Sequence, residues 1–391
     1  MQKDFHYYAT YCAAYIAGYS HEESLKIAYS AQYVDCCSRT ILNKLHAPAQ
    51  AATTQLQLEM MDAKTDVVGL QDITRIWASF HFLPYDLYAD PQKGSKRYKS
   101  KYRMICNPNG ELLVDTVKLA RDKNLQAIGI AMHILADTWA HRYFAGTPSL
   151  VINNTDMEFT ELPSGEDDFA ARTIRFIHNP KSPDNIDNCT YTNSVYQSNE
   201  NSIMNLGHGR AGHLPDYSFI KYSYLPAWGG YANVIKDNPS EYYMAFCQMV
   251  YAMQYLRGDI EEFTKDTYAY DVVAPYEIKV RSILKKRQLI ACDDWAAFGY
   301  ELSGMRVEDF DIEKYDSEYV DAKKEQKEET FLGGFFLAAM MQKSMVTGKI
   351  YKSGSLIAGF SVDYKNNRFK GIRDFAGLVA YVNKRKGKED E

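Results

Sequence analysis

The chain of 391 residues predicts an all-α fold with long ordered loops, and three observations carry that prediction. Apolar residues recur at three- and four-residue steps through several segments, helix start and stop signals bracket them, and a long polar stretch separates two helical halves. Composition agrees with a packed protein: 46% hydrophobic and 24% charged residues exclude disorder as the default state.

Residues 6–17 read as the first helix, closed by Gly18. Ser20 followed by Glu23 is a capping box that opens a second helix running toward Asp35. From Thr40 to about Met61, small and polar residues around Pro48 predict loop with partial helix. The clearest helix spans Lys123 to Ala145, where Leu125, Ile128, Met132, Leu135 and Trp139 form a stripe before Gly146 and Pro148 end it. Residues 147–240 are rich in Asn, Asp, Ser, Gly and Pro, which predicts long ordered loops covering a site. Helices return over Glu241–Phe263, with Tyr242, Phe246, Met249, Met253, Leu256 and Ile260 on one stripe, and over 276–301. A mixed charge run from Asp309 to Glu329 precedes an apolar helix beginning at Phe331 and a basic, strand-prone tail. This organisation predicts a helical core domain over 1–310 and a charged linker with a small C-terminal extension over 311–391.

Charge and cysteine content narrow the function classes. A net charge of -5 and a pI near 6.0 draw the chain toward neither phosphate backbones nor anionic membranes, so there is no strong nucleic-acid signal. No apolar run approaches the roughly 20 residues that span a bilayer, and no signal peptide is read at the N-terminus. Seven cysteines, an odd number that includes the adjacent pair Cys36 and Cys37, do not form a disulfide framework, and a cytoplasmic protein is expected.

The chemistry concentrates in Ala131-Met-His-Ile-Leu-Ala-Asp-Thr-Trp-Ala-His141. His133, Asp137 and His141 stand at i, i+4 and i+8, each step turning only about 40° around a helix, so they line one strip about 12 Å long. A buried strip of two imidazoles and a carboxylate without a cation would leave several donors and acceptors to be paired otherwise, which favours metal binding. Gly129 lies one turn back on the strip and leaves room for a partner to approach. Further nitrogen and oxygen ligands are at hand: Asp4 and His6 at the start of helix one, Asp35, His81 in Ser-Phe-His-Phe-Leu-Pro, and His208, His213 and Asp216 in Gly-His-Gly-Arg-Ala-Gly-His-Leu-Pro-Asp. Together they suffice for two or three zinc ions, and the shortage of cysteine among them favours zinc or another His/carboxylate metal over a thiolate site.

Other signatures are missing or out of context. There is no His-Asp dipeptide, no His-Glu-x-x-His and no Glu-x-x-His, which removes the corresponding phosphohydrolase, zincin and di-iron patterns. Gly207-x-Gly209-x-x-Gly212 matches a dinucleotide-binding pattern, but no βαβ unit surrounds it, and its glycines read as backbone room beside His208.

The order Asp4/His6, Asp35, His81, His133-x3-Asp137, His141, His208 and a final carboxylate resembles the zinc-dependent phospholipase C and S1/P1 nuclease superfamily. The opening Asp-Phe-His-Tyr-Tyr, Tyr-Val-Asp35 and Gly-His208-Gly also resemble an uncharacterised bacterial family known only as a domain of unknown function. The likeness covers roughly residues 1–220. It implies a multi-helix phospholipase C/P1 nuclease-like core with two or three zinc ions. By that resemblance Asp35, His81, His133 and Asp137 would surround one metal, His141, His208 and Asp216 a second, with Asp137 reaching toward a third beside His6. The superfamily's third metal uses a freed amino terminus, for which Asp4 is the substitute here. The sequence departs from the pattern in its three-residue spacing from Asp137 to His141 and in the loose spacing from His208 to Asp216, which leaves His213 a rival ligand.

The resulting expectation is a hydrolase of phosphoric esters that uses a metal-activated water, with Asp35 as base or water-orienting carboxylate and Arg142 and Arg210 as phosphate contacts. Its substrate would be a small phosphoester, nucleotide or lipid head group. Two alternatives stand beside it: a binding protein in which zinc is structural, and a metal hydrolase of amides or non-phosphate esters. A catalytic zinc keeps an open position that a structural one lacks, and this separates them.

Overall fold

The computed structural model describes residues 1–63, 67–155, 158–164, 169–178, 181–194 and 199–359. A π-helical stretch, Asp4–Ala9, runs directly into α1 (Thr10–Ile16), and Gly18 ends it with a φ of 96°. The Ser20–Glu23 capping box is formed in both directions and starts α2 (His21–Tyr33). There follow α3 (Arg39–Lys44), a 3-10 turn at Ala49–Ala51, α4 (Gln57–Ala63), α5 (Val67–Phe80), α6 (Lys96–Tyr102), α7 (Glu111–Ala120), α8 (Leu125–Ala140) and α9 (Leu150–Asn153). After the middle segment come α10 (Asn238–Arg257), α11 (Tyr270–Val273), α12 (Glu277–Lys285), α13 (Cys292–Ser303), α14 (Asp316–Asp321) and α15 (Phe331–Lys352).

Helix α8 is the axis of the molecule. Every residue from Ile128 to Ala140 is buried, so the helix is apolar or internally satisfied all round, as a central helix must be. It packs against α2, α5, α7, α10 and α15. The approach of α2 is close, and Gly129 permits it: a Cβ there would press on Ile27 O and come within 2.6 Å of Ser30 Cβ. The partner for which the glycine leaves room is therefore the backbone of α2.

The polar middle of the chain carries more regular structure than its composition announces, which corrects the all-α expectation to a mostly helical fold with two minor sheets. Strands β1 (Thr160–Glu161), β2 (Arg172–Thr173), β5 (Lys221–Tyr224) and β6 (Val234–Asp237) form an antiparallel sheet in the order β2-β1-β5-β6. The others, β3 (Arg175–Ile177) and β4 (Thr190–Thr192), pair in parallel. Strands of two to four residues are too short to display a period-two alternation, although β5 does bury Tyr222 and Tyr224. These rings join Phe82, Phe144, Phe159, Tyr191 and Leu214 in a second apolar cluster beside the helical one.

Two further differences concern the C-terminal part. The helix expected over 276–301 is two helices, α12 and α13, broken where Lys286 turns to extended backbone. Helix α15, capped by Thr330, inserts Leu332, Phe335, Phe336, Ala339, Val346 and Ile350 into the same cluster as Ile27, Tyr33, Ile134 and Leu135. Residues on both sides of position 310 thus share one core. The basic tail from residue 360 onward lies outside the described residues. No helix among the described residues is long and apolar enough to cross a membrane.

Gly129→Ala is expected to lower the unfolding free energy by about 2 kcal/mol, because overpacking at the α2–α8 contact outweighs the roughly 1 kcal/mol that alanine gains in an open helix. Denaturant titration checks it; an unchanged or raised midpoint would mean that the two helices separate at little cost. Ser20→Ala removes the cap of α2 and should cost about 1 kcal/mol in the same measurement.

Candidate metal centre

The site grows from the C-terminal half of α8. His133 and Asp137 project one turn apart, and His141 caps the helix, its N–H donating to Asp137 O at 2.8 Å. Three other segments converge on this strip. The π-helical stretch brings His6, whose ring stacks on His133 with centroids 3.8 Å apart. Residues beyond the end of α2 bring Asp35, and the residue after α5 is His81. A tight loop brings His208, with Gly207 and Gly212 at φ of 54° and 56° and no space for a Cβ on Gly207 against Phe82 or on Gly212 against Thr192 O. The glycines of the Gly-x-Gly-x-x-Gly pattern thus serve backbone packing at His208.

The hydrogen bonds of four imidazoles decide what the cluster can do. The Nδ1–H of His133 donates to Ala31 O at 2.9 Å, that of His141 to His81 O at 2.6 Å, and that of His208 to Gly212 O at 2.7 Å. In His81 the roles are reversed, and Nε2–H donates to Thr53 O at 3.0 Å. A carbonyl oxygen only accepts, so each of these nitrogens carries a proton, and in the neutral form of the ring the opposite nitrogen is a bare lone pair. All four bare nitrogens face inward. His133 Nε2 and His81 Nδ1 stand 3.3 Å apart, two lone pairs with no proton between them. Such a contact is repulsive in isolation, and a shared cation relieves it; backbone anchoring of the remote nitrogen is how metal-ligating histidines are oriented.

The carboxylates complete the arrangement. Asp137, almost fully buried, places Oδ2 at 3.1 Å from His133 Nε2 and 3.3 Å from His81 Nδ1, and Oδ1 at 3.1 Å from His6 Nε2. One carboxylate therefore faces two ligand groups, one with each oxygen. The Met1 amino nitrogen lies 2.7 Å from the same Oδ1. Asp216 sets Oδ1 at 3.2 Å from His141 Nε2 and 3.6 Å from His208 Nε2, while its Oδ2 accepts from His213 Nδ1 at 3.0 Å. Asp35 stands at the rim, 31% exposed, with Oδ1 3.8 Å from His81 Nδ1 and 3.9 Å from His133 Nε2. Three sets capable of holding an ion result: His6/His133/Asp137, Asp35/His81/His133 and His141/His208/Asp216.

Electrostatics prepare these groups for a cation. Burial alone would raise the Asp137 carboxyl, yet it is held well below the usual range, with the Met1 amino group 2.7 Å from its Oδ1. Asp216 is likewise held low against burial, with the Met1 amino group 3.4 Å from its Oδ1 and the Nδ1–H of His213 on its Oδ2. Burial pushes His6 and His208 down to about 4, which keeps both rings neutral and able to ligate at neutral pH. The His6 ring is fully buried and neither of its nitrogens makes a hydrogen bond, a state that a buried imidazole tolerates when a metal takes one lone pair.

Not every candidate enters these sets. Asp4 accepts from the N–H groups of Phe5 at 2.8 Å and Ala291 at 2.9 Å, tying the π-helical stretch to the residue before α13. Asp4 thus lies outside the three sets, and the group beside Asp137 Oδ1 from the start of the chain, besides His6, is the Met1 amino nitrogen. His213, its side chain 61% exposed, orients Asp216 from outside. Arg142 donates to Asn107 and Glu241, and Arg210 donates to Asn205. Sequence reading did not single out Thr53, whose part is played by its main-chain oxygen and leaves no side-chain signal.

Nitrogen-15 NMR of the imidazoles, read through long-range proton couplings, should find His133, His141 and His208 as Nδ1–H tautomers and His81 as Nε2–H. The opposite tautomer at two or more of these rings would remove the convergence of lone pairs.

A protein-family model matches residues 1–350 of the chain. No curated protein and no solved structure matches it. The matched range takes in the axis helix, α15 through Ile350 and all three ligand sets, and the chain belongs to that family, the family of unknown function DUF6765.

Proposed function

We propose that this protein is a metal-dependent hydrolase of phosphoric esters, with zinc at two or three of the ligand sets. The observation that carries the reading is the convergence of four bare imidazole nitrogens, each fixed by a main-chain carbonyl, on two buried carboxylates. Imidazole and carboxylate without thiolate suit zinc, and all seven cysteines are unpaired. Divalent cations held in such sets would lower the pKa of water from 15.7 to about 7 and neutralise charge on phosphoryl oxygens.

The chain's own residues have assignable parts. Asp137 and Asp216 hold charge in the dry interior and orient the inner imidazoles. His133 and His81 present nitrogen on the side of the site that opens at Asp35. Asp35, the most exposed carboxylate of the three, is placed to orient a water or take its proton at Oδ1. A structural centre would be closed by protein ligands on every side, and the exposure of Asp35 favours an open one. Phosphate contact by Arg142 or Arg210 would require each to leave its present protein oxygen. Nucleotides, oligonucleotides and lipid head groups are the substrate classes within this proposal, as is a cytoplasmic location.

Metal content by mass spectrometry, with turnover of bis(p-nitrophenyl) phosphate, tests the reading on the parent, Asp137→Ala and His208→Ala. Two or more zinc ions per chain are expected in the parent, with loss of at least one ion and about a hundredfold or more in rate in each variant, the scale at which metal catalysis is lost. A folded parent that binds no divalent metal would leave the cluster a hydrogen-bonded core feature. A zinc-loaded parent inert toward phosphate esters would turn the reading to carbonyl substrates.

A further inference from the structure

Helix α15 supplies no ligand, yet two neighbouring side chains on it reach the supports of His81. The half-buried Lys343 donates from Nζ to Gln50 O at 2.7 Å and to Ala52 O at 2.5 Å. The next residue, Thr53, is a junction. Its carbonyl accepts the Nε2–H of His81 at 3.0 Å, its N–H donates to Cys37 O at 2.9 Å, and its Oγ1 donates to Val34 O at 2.6 Å. Thr53 therefore touches the chain on either side of Asp35 and the ring of His81 at once. Gln342 acts on the other side of the same histidine, donating from Nε2 to Ser79 O at 3.2 Å and to Thr116 Oγ1 at 3.0 Å.

We propose that Lys343 and Gln342 are positioning residues for the Asp35/His81/His133 set, so that this ligand group is assembled by a helix more than two hundred residues away in sequence. The inference rests on the metal reading above. Its physical basis is a demand for donors. The 50–53 strap leaves the 3-10 turn at Ala49–Ala51 with Ala51, Ala52 and Thr53 buried, and its carbonyls need partners if the strap is to present Thr53 O at a fixed point. Lys343 satisfies two of them with one ammonium. Among the described residues no carboxylate lies within ion-pair distance of that ammonium, and its direct contacts are the two carbonyls and the face of Phe80, whose ring centre is 5.8 Å from Nζ. Burial pushes Lys343 down to about 8, a cost that a merely superficial lysine does not bear. With Thr53 O fixed, His81 keeps its Nε2–H tautomer and points Nδ1 toward His133; with the strap loosened, the ring is free to turn or to change tautomer.

The test uses the full chain as parent, Lys343→Met, which keeps the length of the stem without its donors, and Lys343→Arg, which restores donors. Each is stripped of metal and titrated with Co(II) alone, followed by visible absorption, while the His81 ring nitrogens are followed by NMR. The expected result is about tenfold weaker Co(II) binding at one set in Lys343→Met, the loss typical when an outer partner of a ligand is removed. The other sets should stay within about twofold of the parent, the His81 Nε2–H signal should weaken, and Lys343→Arg should recover most of the affinity. Gln342→Leu serves as the second variant should Lys343→Met fail to fold, with the same single-set loss expected. A titration that superimposes on the parent, or an equal loss at every set in step with thermal stability, would overturn the positioning role. A parent that takes up no Co(II) would overturn the metal reading and this inference with it, an outcome distinct from either of those.

Discussion

Asp137 is a carboxylate in the middle of the molecule's central helix, with almost no exposure to water. Transfer of an ionised carboxylate into such surroundings costs several kcal/mol or more unless other groups replace its hydration. Much of the architecture around α8 follows from that requirement. Four imidazoles and the Met1 amino group stand around its two oxygens, and they come from three parts of the chain: His133 and His141 from the axis helix and its cap, Met1 and His6 from the start of the chain, and His81 from the end of α5. For those segments to reach one point, α2 must lie against α8 closely enough for Ala31 O to meet His133, which Gly129 permits. The π-helical winding of Asp4–Ala9 serves the same end, since a wider turn at a ligand is a common way to aim a side chain that an α-helix would carry past the site.

Backbone carbonyls, more than side chains, set the chemistry of the centre. Four of the five inner imidazoles spend their proton on main-chain oxygen, and His6 spends it on nothing. An imidazole has only two nitrogens, so fixing one decides the other. The result is a cluster of acceptors and carboxylate charge, with the Met1 amino group among them and the neutral forms of His6 and His208 favoured by burial. Donor-poor surroundings of this kind match divalent cations and are poorly suited to binding an anion directly.

Local spacing made part of this legible from the sequence. The strip of His133, Asp137 and His141 depends only on the pitch of one helix, and the capping box on α2 depends on residues three apart, so both are visible without tertiary information. His6, Asp35, His81, His208 and Asp216 could be named as ligand types, but their convergence depends on how segments far apart in sequence pack. Three features had no local signature. The strands of the middle segment are shorter than the window over which alternation can be read. That Asp4 accepts from Ala291, outside the three sets, depends on packing against a segment far away in sequence. The place of α15 in the core follows from its partners α5 and α8, and the charge run before it gives no hint of them.

The bond from His141 to the main-chain oxygen of His81 joins two ligands that belong to different sets. His81 would ligate through its ring, and it supports His141 through its backbone. A cation that tightens the ring of His81 therefore stiffens the platform on which His141 is aimed, and ordering already achieved at one set need not be supplied again at the next. Occupancy of the first set and affinity at the last are then reciprocally linked, whichever fills first. The linkage runs through a single hydrogen bond, so under the metal reading the sets would still load as separately resolvable steps.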